Sequence, residues 1–181
     1  TMKIALYDWA PSPFCLKVRA LLDHKNIAYD RRPALGAARQ IRRRGGIGKV
    51  PALEIDGAFI VDSTDIAHEL ERRFPTPPTQ PADPRERALC HVLEDWCDES
   101  LYFYGLYYHW QHAAGRRQTG AYFARSLTGR LAFHLLLPRM LRQVAGQGLG
   151  RKSEKQVRGD LERQLEAIEG LLGTSPFLLG E

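Results

Sequence analysis

A proline-rich segment near residue 80 divides this 181-residue chain into two stretches with different patterns. The segment runs from residue 74 to residue 84 and contains Pro75, Pro77, Pro78, Pro81 and Pro84. Proline lacks a backbone N–H and fixes its φ angle, so this segment cannot be helical and is expected to behave as a stiff, extended linker. The sequence therefore predicts two domains, over residues 1–74 and 85–181, joined by a linker over residues 75–84.

The stretch before the linker begins with alternating strand and helix patterns. Short apolar segments at Lys3–Tyr7 and Ile27–Asp30 predict two strands, and apolar residues at helical spacing over Pro13–Lys25 predict a helix between them. A weaker helical pattern follows over Leu35–Arg44. Because strands joined through a helix pair in parallel, the first two strands are expected to be parallel neighbours.

A β-hairpin is predicted next. An Asp-Gly pair separates the apolar runs Ala52–Ile55 and Ala58–Val61, and both residues of such a two-residue turn need positive φ angles. Ser63 is then expected to cap a helix over Thr64–Arg73. The order βαβ, α, ββ, α predicts an α/β domain with a mixed four-stranded sheet and helices on both faces.

The stretch after the linker has a helical pattern throughout. Apolar residues recur at three- or four-residue steps over Arg85–Gln111, Ala121–Val144 and Ser153–Leu172. Gly129 and Pro138 are expected to interrupt the second helical region, and the serine that opens the third is expected to cap it. This half of the chain is therefore predicted to be all-α.

The run Ser12-Pro13-Phe14-Cys15 lies between the first strand and the first helix. A helix start presents unpaired amides and the positive end of the helix dipole, which stabilise an anion such as a thiolate. The Ser12 hydroxyl is placed to donate one further hydrogen bond there. Ser12 also suits a helix N-cap, and the two roles are compatible. Cys15 is interpreted as a small apolar residue, with a role as nucleophile as the alternative.

Ser12-Pro13-Phe14 resembles the active-site run of the serine-type glutathione transferases, which is followed by the same arginine, Arg19, in the first helix. The run is also similar to the Cys-Pro-Tyr-Cys motif of glutaredoxins, with serine in place of the nucleophilic cysteine. Because serine cannot form a mixed disulfide, the resemblance implies activation of glutathione's own thiol, with Ser12 as the catalytic residue. Other transferase classes use a tyrosine on the first strand, but the spacing from Tyr7 to Arg19 fits the serine type better. Tyr7 is therefore interpreted as a strand residue.

Two further segments resemble glutathione-binding segments of the same family. Residues 48–53, Gly-Lys-Val-Pro-Ala-Leu, are similar to a segment in which the proline is cis. The resemblance implies that Pro51 is cis, that the Val50 backbone pairs with the cysteinyl part of glutathione, and that Lys49 pairs with the glycine carboxylate.

The second of these segments, residues 62–66, reads Asp-Ser-Thr-Asp-Ile. In the family, the serine at this position binds the γ-glutamyl carboxylate and the acid before it faces the γ-glutamyl amine. The resemblance therefore implies that Ser63 and Asp62 bind glutathione. Three short motifs in the right order make a stronger signal than any one alone.

The resemblance covers the whole chain and implies a thioredoxin-like domain followed by an all-helical domain. It also implies a cytoplasmic homodimer that uses glutathione as cosubstrate, needs no metal, and acts on a hydrophobic electrophile. Trp9 and Phe14 are further candidates at the site. Aromatic residues of the first helix after the linker are expected to form core, and some of them to line the electrophile pocket: Tyr102, Phe103, Tyr104, Tyr107, Tyr108 and Trp110.

Composition and charge argue against several other classes of protein. The formal net charge of +5 comes largely from arginines, including Arg42–Arg44 and the pair at 116 and 117. No nucleic-acid motif accompanies the charge, so a solvated face or a field attracting a small anion is favoured over nucleic-acid binding. Three cysteines argue against a disulfide scaffold and for a reducing compartment. Cys90 and Cys97 are expected to pack in a helix rather than to bind a metal. No apolar run reaches the ~18 to 20 residues of a membrane span.

The end of the chain departs from the family pattern. Pro176–Glu181 resembles the segment that in the family leads into the central helix of the helical domain, and that helix does not follow here. The given chain is therefore expected to be shorter than the natural protein. Two other functions remain open: a non-catalytic module that binds glutathione or a protein partner, and a glutathione-dependent thiol-disulfide reductase that uses Cys15.

Overall fold

The computed structural model describes residues 2–34, 37–46 and 48–179. The chain divides into two compact units, Thr1–Gln80 and Pro81–Glu181. The first unit combines a sheet with helices, and the second unit is helical. This confirms the predicted fold class, an α/β thioredoxin-like region followed by an all-helical region.

The first unit contains a four-stranded mixed sheet with the strand order β2-β1-β3-β4. Strand β1 is parallel to β2 and antiparallel to β3, and β3 and β4 form the predicted hairpin. The elements are β1 (Ile4–Asp8), α1 (Pro13–His24), β2 (Asp30–Pro33), α2 (Ala37–Arg43), β3 (Ala52–Ile55), β4 (Ala58–Val61) and α3 (Ser63–Arg73). The hairpin turn has φ angles of 47° at Asp56 and 89° at Gly57, as its residue pair predicts.

Two apolar clusters cover the two faces of this sheet. On one face, Leu6 and Leu53 pack with Val18 of α1 and Ile66 of α3, all fully buried. On the other face, strand residues pack with Ile41 of α2. Because side chains alternate along a strand, neighbouring residues of β1 serve opposite clusters. Helices thus lie on both faces, as predicted.

Two details of the first unit correct the sequence interpretation. The second strand is Asp30–Pro33, not Ile27–Asp30, because Ile27 and Tyr29 pack against the core from the loop before the strand. The cap of α3 is Asp62, not Ser63. Asp62 has a φ of 76°, and its carboxylate accepts the Thr64 amide at 2.9 Å. The predicted start of the second helix, Leu35, lies outside the described residues.

The first part of the proline-rich segment is held by a buried lysine. The Lys25 ammonium donates to the Phe74 and Pro77 carbonyl oxygens at 2.6 and 2.8 Å and pairs with Glu71 at 2.7 Å. Glu71 in turn accepts the amide and hydroxyl of Thr79. Lysine has three donors, and all three are used here. These residues therefore belong to the first unit rather than to a free linker.

The second unit begins at Pro84, where Asp83 caps the first helix by accepting the Arg85 and Glu86 amides. Its elements are α4 (Pro84–Trp96), a π-helical turn (Cys97–Leu101), α5 (Tyr102–Leu106), a second π-helical turn (Tyr107–Gln111), α6 (Ala113–Phe123), α7 (Leu127–Gln147), a 3₁₀ turn (Leu149–Arg151) and α8 (Glu154–Leu172). Backbone angles stay helical from α4 through the second π turn, so the predicted single helix is continuous. Ser153 caps α8 in a capping box with Gln156.

Three features of the second unit differ from the sequence prediction. Helix α6 is additional. Helix α7 runs through Pro138 without interruption, because Pro138 lies on an exposed face where water can reach the carbonyl of His134 that loses its donor. Cys97 is exposed rather than packed, since it opens a π turn and the wider turn rotates side chains off the regular helical spacing.

Among the described residues, no helix combines the length and the apolar character that crossing a bilayer requires.

Candidate active site

Ser12 is the N-cap of α1. Its φ and ψ angles of −78° and 124° are extended, and its Oγ accepts the Cys15 amide at 3.3 Å. Its own amide donates to the Trp9 carbonyl at 2.9 Å, which closes the turn between β1 and α1. The serine is nearly buried, with 7% of its surface exposed. The turn therefore holds the hydroxyl in place at the start of the helix.

The helix cap does not use the proton of the Ser12 hydroxyl. A serine hydroxyl can accept two hydrogen bonds and donate one. The cap uses one of its acceptor positions, and the hydroxyl also lies close enough to the Cys15 sulfur for a hydrogen bond that lowers the pKa of that thiol. An anion bound at this helix start would receive that proton in a hydrogen bond, in addition to the field of the helix dipole.

A buried carboxylate lies at the end of β1, beside this turn. Asp8 accepts a hydrogen bond from Arg19 at 2.5 Å on one oxygen and from Arg31 Nε at 2.7 Å on the other. The motifs indicate Arg19 only as a family feature, and none of them indicates Asp8. A charged residue ending an otherwise apolar strand, immediately before the turn, was the available signal.

Cys15 lies one turn into α1 and is fully buried. Its Sγ accepts a weak hydrogen bond from the Trp9 amide at 3.5 Å. Burial raises the pKa of the Cys15 thiol above its ordinary value of 9.0, and the opposing hydrogen bonds from Trp9 and Ser12 do not offset this. The thiol is therefore protonated at neutral pH, which fits the interpretation of Cys15 as a small apolar residue.

The register of the sheet brings the three motif segments to one edge. Tyr7 pairs with Ala52, and Ala52 pairs with Val61, so these residues form one row across β1, β3 and β4. Ser12 follows the row on the first of these strands, Pro51 directly precedes it on the second, and the motif after β4 follows it on the third. The three motif segments, 12–15, 48–53 and 62–66, thus share an edge of the sheet.

The segment before β3 has the expected backbone. The Val50–Pro51 peptide bond is cis, as the resemblance implies. Pro51 is buried, Val50 is half-buried against the cluster around α2, and Lys49 is exposed. Lys49 is thus available to a ligand carboxylate at the surface.

The segment after β4 places an acid and a hydroxyl at the start of α3. Asp62 is exposed, although its carboxylate is used in part by the Thr64 amide. Ser63 is nearly buried, and its hydroxyl has no hydrogen-bond partner within the ranges 2–34, 37–46 and 48–179. Both side chains retain capacity to bind a charged, polar ligand.

Tyr7 lies on the opposite side of the sheet from the α1 helix. It is buried in β1, and its hydroxyl oxygen accepts hydrogen bonds from Arg32 at 2.9 Å and Gln40 at 2.6 Å. This arrangement matches its interpretation as a strand residue.

The aromatic candidates fall into two groups. Trp9 is exposed and Phe14 is half-buried, both in the first unit. The run in the second unit supplies much of that unit's core. Tyr104, Tyr107 and Trp110 are buried, and the remaining members pack against them. The prediction that some line a pocket for the electrophile remains a prediction. Within the described residues, no cluster of potential metal ligands is found.

Comparison with known proteins identifies the family. The family described as glutathione S-transferase, N-terminal domain, matches residues 6–78, which covers all three motif segments. Residues 6–78 belong to the glutathione S-transferase N-terminal domain family. It is 36% identical to probable maleylacetoacetate isomerase 1 of Drosophila melanogaster over 104 residues, which are 52% of this chain and 42% of that protein. It spans less than half the length of the fly and mouse isomerases that it matches.

Members of the glutathione S-transferase superfamily match along nearly the whole chain. The isoprene-epoxide glutathione S-transferase of Rhodococcus sp. strain AD45 is 24% identical over 98% of this chain and 79% of that protein. A glutathione S-transferase from Methylobacterium radiotolerans, solved with glutathione sulfonate, superposes with a TM-score of 0.61 at 24% identity, over 99% of this chain and 71% of that one. This structural match supports the two-part fold.

Proposed function

We propose that this chain is an enzyme that binds glutathione in its first unit and adds the glutathione thiolate to a hydrophobic electrophile. Ser12 supplies the supporting observation. Its hydroxyl oxygen is fixed at the start of α1 by the cap, and the cap does not use the hydroxyl proton. A thiolate at that position would receive the proton in a charge-assisted hydrogen bond.

In this reaction, the protein lowers the free energy of the ionised thiol and holds it in place. The thiol proton leaves to solvent, the sulfur then forms a bond to the electrophilic carbon, and the leaving group departs from that carbon with its bonding electron pair, as chloride does from 1-chloro-2,4-dinitrobenzene. Ser12 and the helix dipole favour the thiolate over the thiol, which lowers the pKa of bound glutathione. The nucleophile thus belongs to the cosubstrate, and the protein contributes ionisation and proximity.

The tripeptide is proposed to lie along the sheet edge that carries the three motifs. The Val50 backbone, next to the cis Pro51, pairs with the cysteinyl part, and exposed Lys49 pairs with the glycine carboxylate. The Ser63 hydroxyl and Asp62 bind the γ-glutamyl end. The family resemblance further leads us to propose a cytoplasmic homodimer that needs no metal.

Replacing Ser12 with alanine tests the catalytic role. Because the Ser12→Ala variant loses the hydrogen bond to the thiolate, kcat for conjugation of 1-chloro-2,4-dinitrobenzene should fall about ten- to a hundredfold. The affinity for glutathione in calorimetry should stay nearly unchanged. The same loss should raise the apparent pKa of the bound thiol in the pH profile of the rate.

The control separates loss of a helix cap from loss of catalysis. Ser126 caps α7 in the second unit by accepting the Gly129 amide at 3.0 Å. Ser126→Ala should lower stability by about 1 kcal/mol without changing the pH profile. Equal kcat in Ser12→Ala and the parent would refute the proposed role of Ser12.

A second candidate function is a non-catalytic module that binds glutathione or a protein partner. Three leucines at four-residue steps on α7 support it, because Leu127, Leu131 and Leu135 are 82%, 63% and 67% exposed. Calorimetry with millimolar glutathione, followed by the conjugation assay, discriminates these functions, because a non-catalytic glutathione-binding module gives heat but no conjugation. A protein-interaction module gives no heat, whereas the proposed enzyme gives a saturable signal.

A further inference from the structure

Arg19 connects two parts of the turn that carries Ser12. From α1, its Nη1 donates to the Asp8 carboxylate at 2.5 Å, and its Nη2 donates to the Ala10 carbonyl at 3.3 Å. Asp8 is the last residue of β1, and Ala10 lies in the turn two residues before Ser12. One guanidinium therefore joins the end of the strand, the turn and the helix.

The rest of the turn is fixed by short-range hydrogen bonds. The Ser12 amide donates to the Trp9 carbonyl, and the Trp9 amide donates to the Cys15 sulfur at 3.5 Å. These bonds link residues three to six apart. The Ala10 carbonyl is bound by Arg19, nine residues away in the helix. Because Cys15 and Arg19 are four residues apart in α1, they lie on the same face of the helix, toward the turn.

A second arginine provides a natural comparison. Arg31 of β2 binds the other oxygen of the Asp8 carboxylate, and no hydrogen bond joins it to the turn among the described residues. The Arg31 side chain is 55% exposed and the Arg19 side chain is 16% exposed. Both arginines pair with the same carboxylate, but only Arg19 also holds the turn.

We propose that Arg19 is a positioning residue, which fixes the Trp9–Pro11 turn through Asp8 and the Ala10 carbonyl and thereby sets the position of the Ser12 hydroxyl. The catalytic part of this inference rests on the proposed function. A planar guanidinium can reach two acceptors at fixed separation, whereas a lysine ammonium replaces the charge without that geometry. Small displacements of a catalytic group are enough to lower a rate strongly.

The test compares Arg19→Met, Arg19→Lys and the matched control Arg31→Gln in the full chain. In Arg19→Met, kcat for conjugation of 1-chloro-2,4-dinitrobenzene should fall about ten- to a hundredfold. The KM for glutathione should stay within about twofold of the parent, because the binding segments 49–51 and 62–63 are untouched. Arg19→Lys should lie between Arg19→Met and the parent, and Arg31→Gln should match the parent.

A second measurement reads the turn directly, without any substrate. Amide hydrogen exchange at Ser12 and Cys15 should become faster in Arg19→Met than in Arg31→Gln, because both amides donate within the turn that Arg19 holds. If these two variants exchange at equal rates, the positioning role is overturned, whatever the activity.

Failure of the proposed function gives a different result. A parent protein that neither binds nor conjugates glutathione would contradict the proposal that it is an enzyme. The exchange rates would still decide whether Arg19 positions Ser12. An active parent in which Arg19→Met and Arg31→Gln have equal kcat would overturn the positioning role alone. Loss of folding in Arg19→Met, seen by circular dichroism, leaves Arg19→Lys against Arg31→Gln as the deciding pair.

Discussion

Ser12 and Cys15 lie within one turn of α1, yet the structure gives them opposite chemical properties. The Ser12 hydroxyl caps the helix as an acceptor, which leaves its proton outside the cap, whereas the Cys15 thiol is fully buried and has a raised pKa. Only a thiolate acts as a nucleophile, so burial makes Cys15 unreactive although it lies near a helix start. The residues therefore favour activation of a cosubstrate's thiol over thiol exchange by the protein itself.

This contrast predicts slow alkylation of Cys15. In the Cys90→Ser/Cys97→Ser variant, the single remaining thiol should react with iodoacetamide at pH 8 about a hundredfold more slowly than Cys97 does in Cys15→Ser/Cys90→Ser. The reason is that pH 8 lies below the raised pKa of Cys15, whereas Cys97 is exposed. Mass spectrometry of timed samples measures both rates. Comparable rates would revive the thiol-disulfide reductase hypothesis.

At the residue scale, the sequence predicted the motif segments but not their long-range partners. Ser12 and the cis Pro51 could be predicted from the sequence, because both lie in short motifs. The pairing of Asp8 with Arg19 and Arg31 was not, because it joins residues 11 and 23 positions apart through the packing of three elements. The cap at Asp62 was also missed, since its positive φ is set by the exit from β4.

At the scale of the elements, periodicity predicted where helices lie better than where they change. The helix after the linker was predicted as one piece, but its two π turns were not, because no glycine or proline in either turn marks a change of helix type. Helix α7 continues through Pro138, because an exposed helix face can accommodate a missing hydrogen bond. The strand β2 was misplaced, since its residues are polar and exposed at a sheet edge.

Two helical glycines in the second unit should respond in opposite ways to alanine. A Cβ at Gly115 would lie 1.7 Å from the Tyr108 carbonyl oxygen, where α6 approaches the preceding π turn, whereas a Cβ at Gly105 would meet nothing within 4 Å. Gly115→Ala should therefore lower the free energy of unfolding by about 1 to 3 kcal/mol. Gly105→Ala should raise it by about 0.5 to 1 kcal/mol, because alanine favours a helix.

Urea denaturation followed by circular dichroism measures both changes, and each variant serves as the control for the other. A Gly115→Ala protein as stable as the parent would contradict the close approach of α6 to the π turn.

At the scale of the whole molecule, the chain consists of two units. One part of the segment that connects them is bound to the first unit, and the other part begins the second unit. Residues up to Thr79 are held by Lys25 and Glu71 of the first unit, and Asp83 begins the second unit as a helix cap. The proline content predicted a non-helical segment here. It did not predict the lysine clamp, because that contact joins residues about fifty positions apart in sequence.

The contacts of Lys25 with Phe74, Pro77 and Glu71 predict that this segment becomes more mobile when the lysine charge is removed. Lys25→Met leaves the Phe74 and Pro77 carbonyl oxygens and Glu71 without their donor. Because the Lys25 side chain is 0% exposed, water does not readily take its place. Removing one partner of a buried ion pair costs about 3 kcal/mol. Hydrogen exchange should therefore become faster at the Thr79 amide, and the urea midpoint should fall. Arg72→Gln removes an exposed ion pair with Glu69 from α3, the helix that carries Glu71. This variant should change neither the exchange rate of the Thr79 amide nor the urea midpoint.

Acid should weaken the same clamp in the parent protein. Burial alone would raise the pKa of Glu71, but hydrogen bonds from Lys25 and Thr79 outweigh it, so the pKa lies below its ordinary value of 4.5. Because the folded chain favours the ionised form, this stabilisation is present above pH 4.5 and is lost as the pH falls through the lowered pKa. Glu71→Gln should therefore flatten the fall in stability below that pH, as measured by urea midpoints at pH 3 to 7. An equally steep fall in Glu71→Gln and the parent would show that Glu71 does not sense acid in this range.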